Sequence, residues 1–411
     1  MIRKITIINF RAIKELTIAF KPFTMLIGEN SSGKSTVLQA LDFLCSITQR
    51  DIDEYLKDRD WDFDEIKSQF ASKDDKIHFI TELDISGKSL AWDISINYIQ
   101  ERWLIQESIS DRKTGDCYLS YGRESPDMPS DFSQFDIKSS ALKMLDMNKS
   151  ATGEAKFEPV LAKMKGFLSS SNSFELLSPE KMRSRGSLGK VNDIGMGGEK
   201  LAAFIHGMPP HKKAELYKLV SELTGYNIKI STSTTGQPGW VEMYLVEAWE
   251  KREIKIKKRY ISDGLLRIIA FSAILISQES KKTGLMQLVH EAGDIKGLIL
   301  LDEIEDGINP ALSEKLIERF KIYTEEMHRQ MVISSHSPVA VNAVGESDVQ
   351  FMWRDSSGII RAKPLFCTKE MKELLEFLGP GEVWLNYSKD EIVNKLSDAR
   401  EAYHDQDSSM L

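Results

Sequence analysis

Cysteine is scarce, with three in 411 residues, at Cys45, Cys117 and Cys367. This odd, dispersed set has no C-x-x-C pair and no Cys/His metal spacing. It argues against a disulfide framework and points to a reducing cytoplasm. Long apolar runs are also missing. No stretch approaches the roughly 20 apolar residues that cross a bilayer, so no membrane association is expected. The opening MIRKITIINF passes straight into an alternating strand, without the apolar core of a secretory signal. Excess positive charge is absent too. The formal net charge is −8, so any nucleic-acid contact must rest on a local basic patch. There is no internal repeat, no low-complexity tract and no heptad run long enough for an extended coiled coil. What is present, 41% hydrophobic and 28% charged residues, suits two or three domains or one large domain with insertions.

Against that background two stretches carry chemistry. FTMLIGENSSGKSTVLQALDFL reads as strand, glycine loop and helix. Phe23 to Ile27 is a short apolar strand, and Leu38, Leu41 and Leu44 recur at helical spacing. Between them Gly28, Gly33, Lys34 and Ser35 satisfy G-x-x-x-x-G-K-[ST]. Such a loop turns its N–H groups toward phosphates, and the following helix adds the partial positive charge of its start. Lys34 is expected at the β- and γ-phosphates of ATP, and Ser35 at Mg²⁺. The loop residues Asn30 and Ser31, with Thr36, are expected to line the nucleotide.

The second stretch is GLILLDEIEDGINP, Gly297 to Pro310, an apolar strand driven into a carboxylate cluster. Read alone it is a strand ending in a solvated acidic turn. Beside a phosphate loop it supplies what that loop lacks: Asp302 to hold Mg²⁺ and Glu303 as the base for an attacking water, with Glu305 the next candidate. A parallel strand directly beside the loop's own strand is expected to deliver both. Hydrolysis is the expected reaction, since the cluster offers no acceptor pocket for another group.

Further segments give these motifs a family likeness. ISDGLLRIIAFSAIL, MVISSHSP, ITIINFRAIKELTIAF and DEIEDGINP resemble the signature, switch strand, opening strands and post-strand run of ABC-class AAA ATPases in the RecF, SMC and OLD (overcoming lysogenization defect) group. LSPEKMRSR and GGEKLAAFI resemble a paired segment of OLD-like members. The resemblance implies an α/β fold: an ABC-type ATPase head with a P-loop core sheet, an antiparallel β subdomain and a helical insertion. It places Arg11 near the nucleotide, makes His336 the γ-phosphate sensor, and has Ser262 and Gly264 meet the phosphates of a second subunit. Read without it, Ser262 or Asp263 is a helix N-cap and His336 a histidine at a strand end. Ile304 and Asn309 depart from the usual proline and histidine or aspartate. A Q-loop glutamine is not fixed, with Gln100 and Gln106 the candidates.

The expected organisation is an N-terminal ATPase lobe over 1–121, a helical insertion over 122–225 and a C-terminal ATPase lobe over 226–411. Antiparallel strands are expected from Lys76 to about Tyr121. Helices are expected over 199–224, a hairpin after them, and short helices with a polar tail over the last 70 residues. KREIKIKKRY reads as the solvated face of an edge strand. His78, His206, His211, His290, His328 and His404 show no paired spacing, and no nuclease constellation is evident. The resemblance therefore implies a homo-oligomer, at least a head-to-head dimer, whose ATPase gates a separate effector. That effector would be a nuclease or toxin encoded nearby, as in the Septu and PARIS anti-phage systems. The alternative is a RecF-like clamp that closes on DNA with ATP during repair.

Overall fold

The strand Phe23–Ile27 is buried along its whole length, and the sheet around it organises the chain. The computed structural model describes residues 1–72, 74–122, 137–145, 159–174, 177–189, 191, 193–234, 238–249, 252–277 and 297–397. Its strands are β1 (Ile2–Phe10), β2 (Ile13–Ala19), β3 (Phe23–Ile27), β4 (Ile77–Ile85), β5 (Lys88–Ile99), β6 (Arg102–Asp111), β7 (Cys117–Tyr121), β8 (Asn172–Phe174), β9 (Gly186–Ser187), β10 (Ile228–Thr234), β11 (Trp240–Trp249), β12 (Arg252–Lys257), β13 (Leu298–Leu301), β14 (Gln330–Ser335), β15 (Val349–Arg354) and β16 (Ile360–Pro364). The fold is α/β, with a P-loop core sheet in the order β16-β15-β3-β14-β13-β8. An antiparallel sheet, β2-β1-β4-β5-β6-β7, packs beside it, and β10-β11-β12 forms a third sheet with β9 on β11.

The core sheet is parallel except for β16, and its short apolar strands suit burial on both faces. Alternate side chains enter two different cores. Phe23, Met25, Ile27, Ile299, Leu301, Met331 and Ile333 face one. Leu26, Leu298, Leu300 and Val332 face the other. The first core holds the helices Asp263–Ser277 and Pro310–Glu326. The second holds the helix Lys34–Ile47 and the inward face of the antiparallel sheet. The phosphate-loop helix and the signature helix thus lie on opposite sides of one sheet.

Two expectations need correcting. The strand carrying Asp302 is not beside β3, because β14 lies between them, paired in parallel with both. All six residues of β14 are buried, which suits an interior position. The last 70 residues hold more than helices. VQFMWR and IRAKP form the β15–β16 hairpin, and β15 flanks β3 on its other side. The span 122–225 is mixed among its described residues, since it holds the helices Pro159–Ser169 and Pro210–Thr224 and also β8, which joins the core sheet. Most of its polar part, the histidines His290 and His404 and the tail DQDSSML lie outside the described residues. The strands β4 to β7, the helices Leu201–Gly207 and Pro210–Thr224, and the hairpin β10–β11 fall where alternation and helical spacing put them. β12 is a solvent-exposed edge strand, with Lys255 over the Tyr244 ring at 3.8 Å. No helix among the described residues is long and apolar enough to cross a membrane.

Candidate nucleotide site

Three neighbouring parallel strands, β3, β14 and β13, end side by side. In register Ser335 lies opposite Ile27, so His336 follows β14 level with Gly28, where the glycine loop begins. Leu301 lies opposite Ile333, and Asp302 follows it. The structure therefore gathers the glycine loop, His336 and the carboxylates at one edge of the sheet, where open α/β sheets bind ligands.

The glycine loop has the geometry its sequence predicts. Gly33 caps the helix Lys34–Ile47 at φ 97°, in the left-handed region that a Cβ makes costly. Asn30 and Ser31 are exposed on the loop, Ser35 is half-buried, and Thr36 is buried. Lys34, 6% exposed, donates from Nζ to the carbonyl oxygens of Gly28 at 2.8 Å and Glu29 at 3.0 Å. Burial pushes its ammonium down from the usual lysine range, while Asp302, Glu303 and Glu305 pull it back up. Lys34 and the acid cluster are thus within electrostatic reach of each other.

Across from it Ser334 holds both expected carboxylate positions. Its hydroxyl donates to Asp302 Oδ1 and accepts the Glu303 N–H at 2.9 Å. Glu303 sits at φ 47°, strained for a residue with a side chain, at a position that combines exposure with chemistry. Partial burial raises its carboxyl above the usual range, and Asp302 and Asp306 add to this while His336 opposes it. The sequence marks Ser334 only as a hydroxyl two residues before His336. Ser334→Ala is expected to lower stability by about 1–3 kcal/mol, because the Asp302 carboxylate and the Glu303 N–H each lose a partner. Chemical denaturation measures this.

These residues fit a magnesium nucleotide. Glu305 Oε2 and Ser32 Oγ are buried polar atoms without a hydrogen-bond partner among the described residues. Several carboxylates share one lysine, leaving local negative charge. One carboxylate, one serine and substrate phosphates are a usual donor set for Mg²⁺, and Asp302 and Ser35 are the residues that would supply the protein's part.

The ISDGLL segment packs against the far end of the acidic loop. Ser262 is exposed and caps the helix Asp263–Ser277, its Oγ accepting the Leu265 N–H at 3.4 Å and its carbonyl the Leu266 N–H at 3.0 Å. Gly264 packs so closely on the loop after β13 that a Cβ would run into the Gly307 carbonyl oxygen. Arg267 pairs with Asp306 at 3.0 Å across the same contact. Arg183, from LSPEKMRSR, donates to the Ile261 carbonyl at 2.6 Å and pairs with Asp263. Asn309 caps the helix Pro310–Glu326 through Ala311, and Ile304 is fully buried. Arg11 is stacked over Trp61 at 4.0 Å. Gln106 is held by Lys76 at 2.8 Å and by Gly122 on the antiparallel sheet, and Gln100 lies between β5 and β6.

Among solved structures the chain is similar to an SMC head bound to the C-winged helix domain of ScpA, with a TM-score of 0.47 and 14% identity over 90% of this chain and 99% of that one. It is also similar to the SMC head domain from Thermotoga maritima, with a TM-score of 0.42 and 13% identity over 88% and 98%. A third is an Smc head with an extended coiled coil bound to the C-terminal domain of ScpA, derived from Pyrococcus furiosus, with a TM-score of 0.46 and 14% identity over 92% and 99%. No curated protein matches the chain. Residues 23–342, from the first residue of β3 to the end of the short helix after His336, match the family described as "AAA domain, putative AbiEii toxin, Type IV TA system", and the chain belongs to that AAA-domain family.

Proposed function

We propose that the chain is an ABC-type ATPase that hydrolyses ATP to ADP and phosphate at composite sites shared between two copies. The observation that carries this is the gathering of Lys34, Asp302, Glu303 and His336 at the ends of three neighbouring strands. Lys34 leaves its carbonyl partners to bind the β- and γ-phosphates. Ser35 and Asp302 hold Mg²⁺, which neutralises phosphate charge when bound. Glu303 takes the proton of the attacking water, and His336 contacts the γ-phosphate. Ser262 and Asp263 are exposed, which leaves the start of the signature helix open to a second copy's phosphates. The cis contacts of Gly264 with Gly307 and of Arg267 with Asp306 join that helix to the loop carrying Glu303, so closure at one composite site is felt at the other.

As an ATPase module the chain gates a separate effector, a nuclease or toxin, in an OLD-like defence system. The test of the composite site is complementation. Lys34→Ala and Ser262→Arg are each expected to block turnover. Mixed, they form heterodimers in which both defects share one site and the other site is intact, so turnover recovers in part. Heterodimers demonstrated by pull-down but without recovery would favour a signature acting in cis or strict coupling between the two sites.

A further inference from the structure

The helix Asp263–Ser277 opens with a carboxylate where a composite site needs the opposite charge. Asp263 stands in its first turn, and its side chain is 61% exposed. A first-turn acid favours the helix, because it faces the partial positive charge of the helix start. The same acid repels a polyphosphate drawn to that start, since like charges facing each other across an interface cost affinity. Arg183 meets this charge from a distant segment. Its Nη2 donates to Asp263 Oδ1 and, at 2.6 Å, to the Ile261 carbonyl oxygen, so one nitrogen uses its two hydrogens on the residues that flank Ser262. Packing fixes the turn that carries it. Arg183 follows the short helix Pro179–Met182, and a Cβ at Gly198 would strike the buried Met182 side chain. Stability is a weak reason for this arginine. An ion pair with so exposed a carboxylate contributes little, and Arg183 Nε is buried without a hydrogen-bond partner among the described residues, which carries a cost.

We propose that Arg183 is a positioning residue of the composite site, cancelling the charge of Asp263 so that the signature start offers Ser262 and backbone N–H groups to the second copy's phosphates. The bond to the Ile261 carbonyl is its anchor, and the pair with Asp263 is its task. A guanidinium stays charged at any working pH, so the cancellation does not depend on pH. Met182 and the signature helix share one core, while the phosphate-loop helix belongs to the other. Arg183 therefore acts on the site shared with the second copy and not on ATP binding to its own phosphate loop.

This rests on the composite-site reading, and the test separates the two. Full-length protein carrying Glu303→Gln, the slow-hydrolysing parent, is followed by light scattering across protein concentration with ATP and Mg²⁺. ATP affinity is titrated in parallel at concentrations where the protein is monomeric. Arg183→Ala and Arg183→Gln should each weaken the ATP-dependent dimer about 10-fold, leave monomer ATP affinity unchanged, and lose part of their deficit as salt rises. Glutamine keeps a donor for the Ile261 carbonyl, so it separates lost charge from lost anchor. Adding Asp263→Asn to either variant should restore most of the dimer, because no charge is left to cancel, and the double-mutant cycle reads that coupling directly. Asp263→Asn alone, which keeps the arginine, should dimerise at least as tightly as the parent. Parent-like dimerisation in Arg183→Gln overturns the proposal, as does a weaker dimer in Asp263→Asn alone. A deficit that Asp263→Asn fails to rescue also overturns it, and would put the arginine on the phosphate itself or in the fold alone. A parent that forms no ATP-dependent dimer removes the composite site, and this role with it.

Discussion

Lys34→Ala is expected to weaken ATP binding by about 10²–10³-fold, within the 2–5 kcal/mol that loss of one partner of a buried charge pair typically costs. The ammonium is buried, so its field at the phosphates is little screened, and the loop amides alone cannot balance the β- and γ-phosphate charge. In the free protein its loss also leaves Asp302, Glu303 and Glu305 without the cation that faces them. Their mutual repulsion then adds a second, smaller penalty against an anionic ligand. The measurement is calorimetric titration with ATP and Mg²⁺, paired with thermal unfolding. ATP at 1,000 times its Kd stabilises a protein by about 4 kcal/mol, and at the same ATP concentration that increment should fall to about 0.4–1.4 kcal/mol in the variant. Unchanged affinity would remove the phosphate loop from the site.

Much of this site is legible in sequence because local rules dictate it. A strand, a glycine loop with its lysine, and a helix at 3.6 spacing occupy one continuous stretch, and Gly33 needs only its own φ to be understood. The apolar run 298–301 before Asp302 is likewise local. What is not legible is set by pairing between distant strands. Nothing in LILL says that β14 separates it from β3, because both are buried apolar strands that fit either position. The β15–β16 hairpin hides for a similar reason: VQFMWR lacks strict alternation, since all but its last residue are buried. Ser334 escapes notice, and Glu305 is legible only as one more acid of the cluster, because their partners lie across strands. Ser334 meets Asp302 and Glu303 from β14, and Glu305 meets His336 from the loop after β13. Arg183 joins the signature from a segment some 80 residues away. The candidates Gln100 and Gln106 show the reverse, residues of the right type that the fold commits to the antiparallel sheet.

Glu303→Gln should bind ATP with near-normal affinity and hydrolyse it about 10²–10⁴-fold more slowly, the usual cost of removing a general base. The amide keeps the size and one accepting oxygen, so the Ser334 bond to the Glu303 N–H and the strained φ are undisturbed. What is lost is the capacity to take a proton. The pH profile gives the sign. Partial burial, followed by Asp302 and Asp306, raises the Glu303 carboxyl above the ordinary carboxylate range. A base with a raised value is protonated, and so inactive, at a higher pH than an ordinary glutamate. Wild-type turnover should therefore fall on the acid side as pH drops through that raised value, and the limb should move back down when Asp306→Asn removes one of the raising charges. In Glu303→Gln there is no proton to take up at this position, so the residual rate should lack that limb. Single-turnover hydrolysis across pH for the three proteins separates these outcomes. Near-native turnover in Glu303→Gln, or an acid limb that survives in it unchanged, would assign the base elsewhere. The search would then turn to Glu305, whose Oε2 has no hydrogen-bond partner among the described residues, before Asp306, whose carboxylate is paired with Arg267 at 3.0 Å.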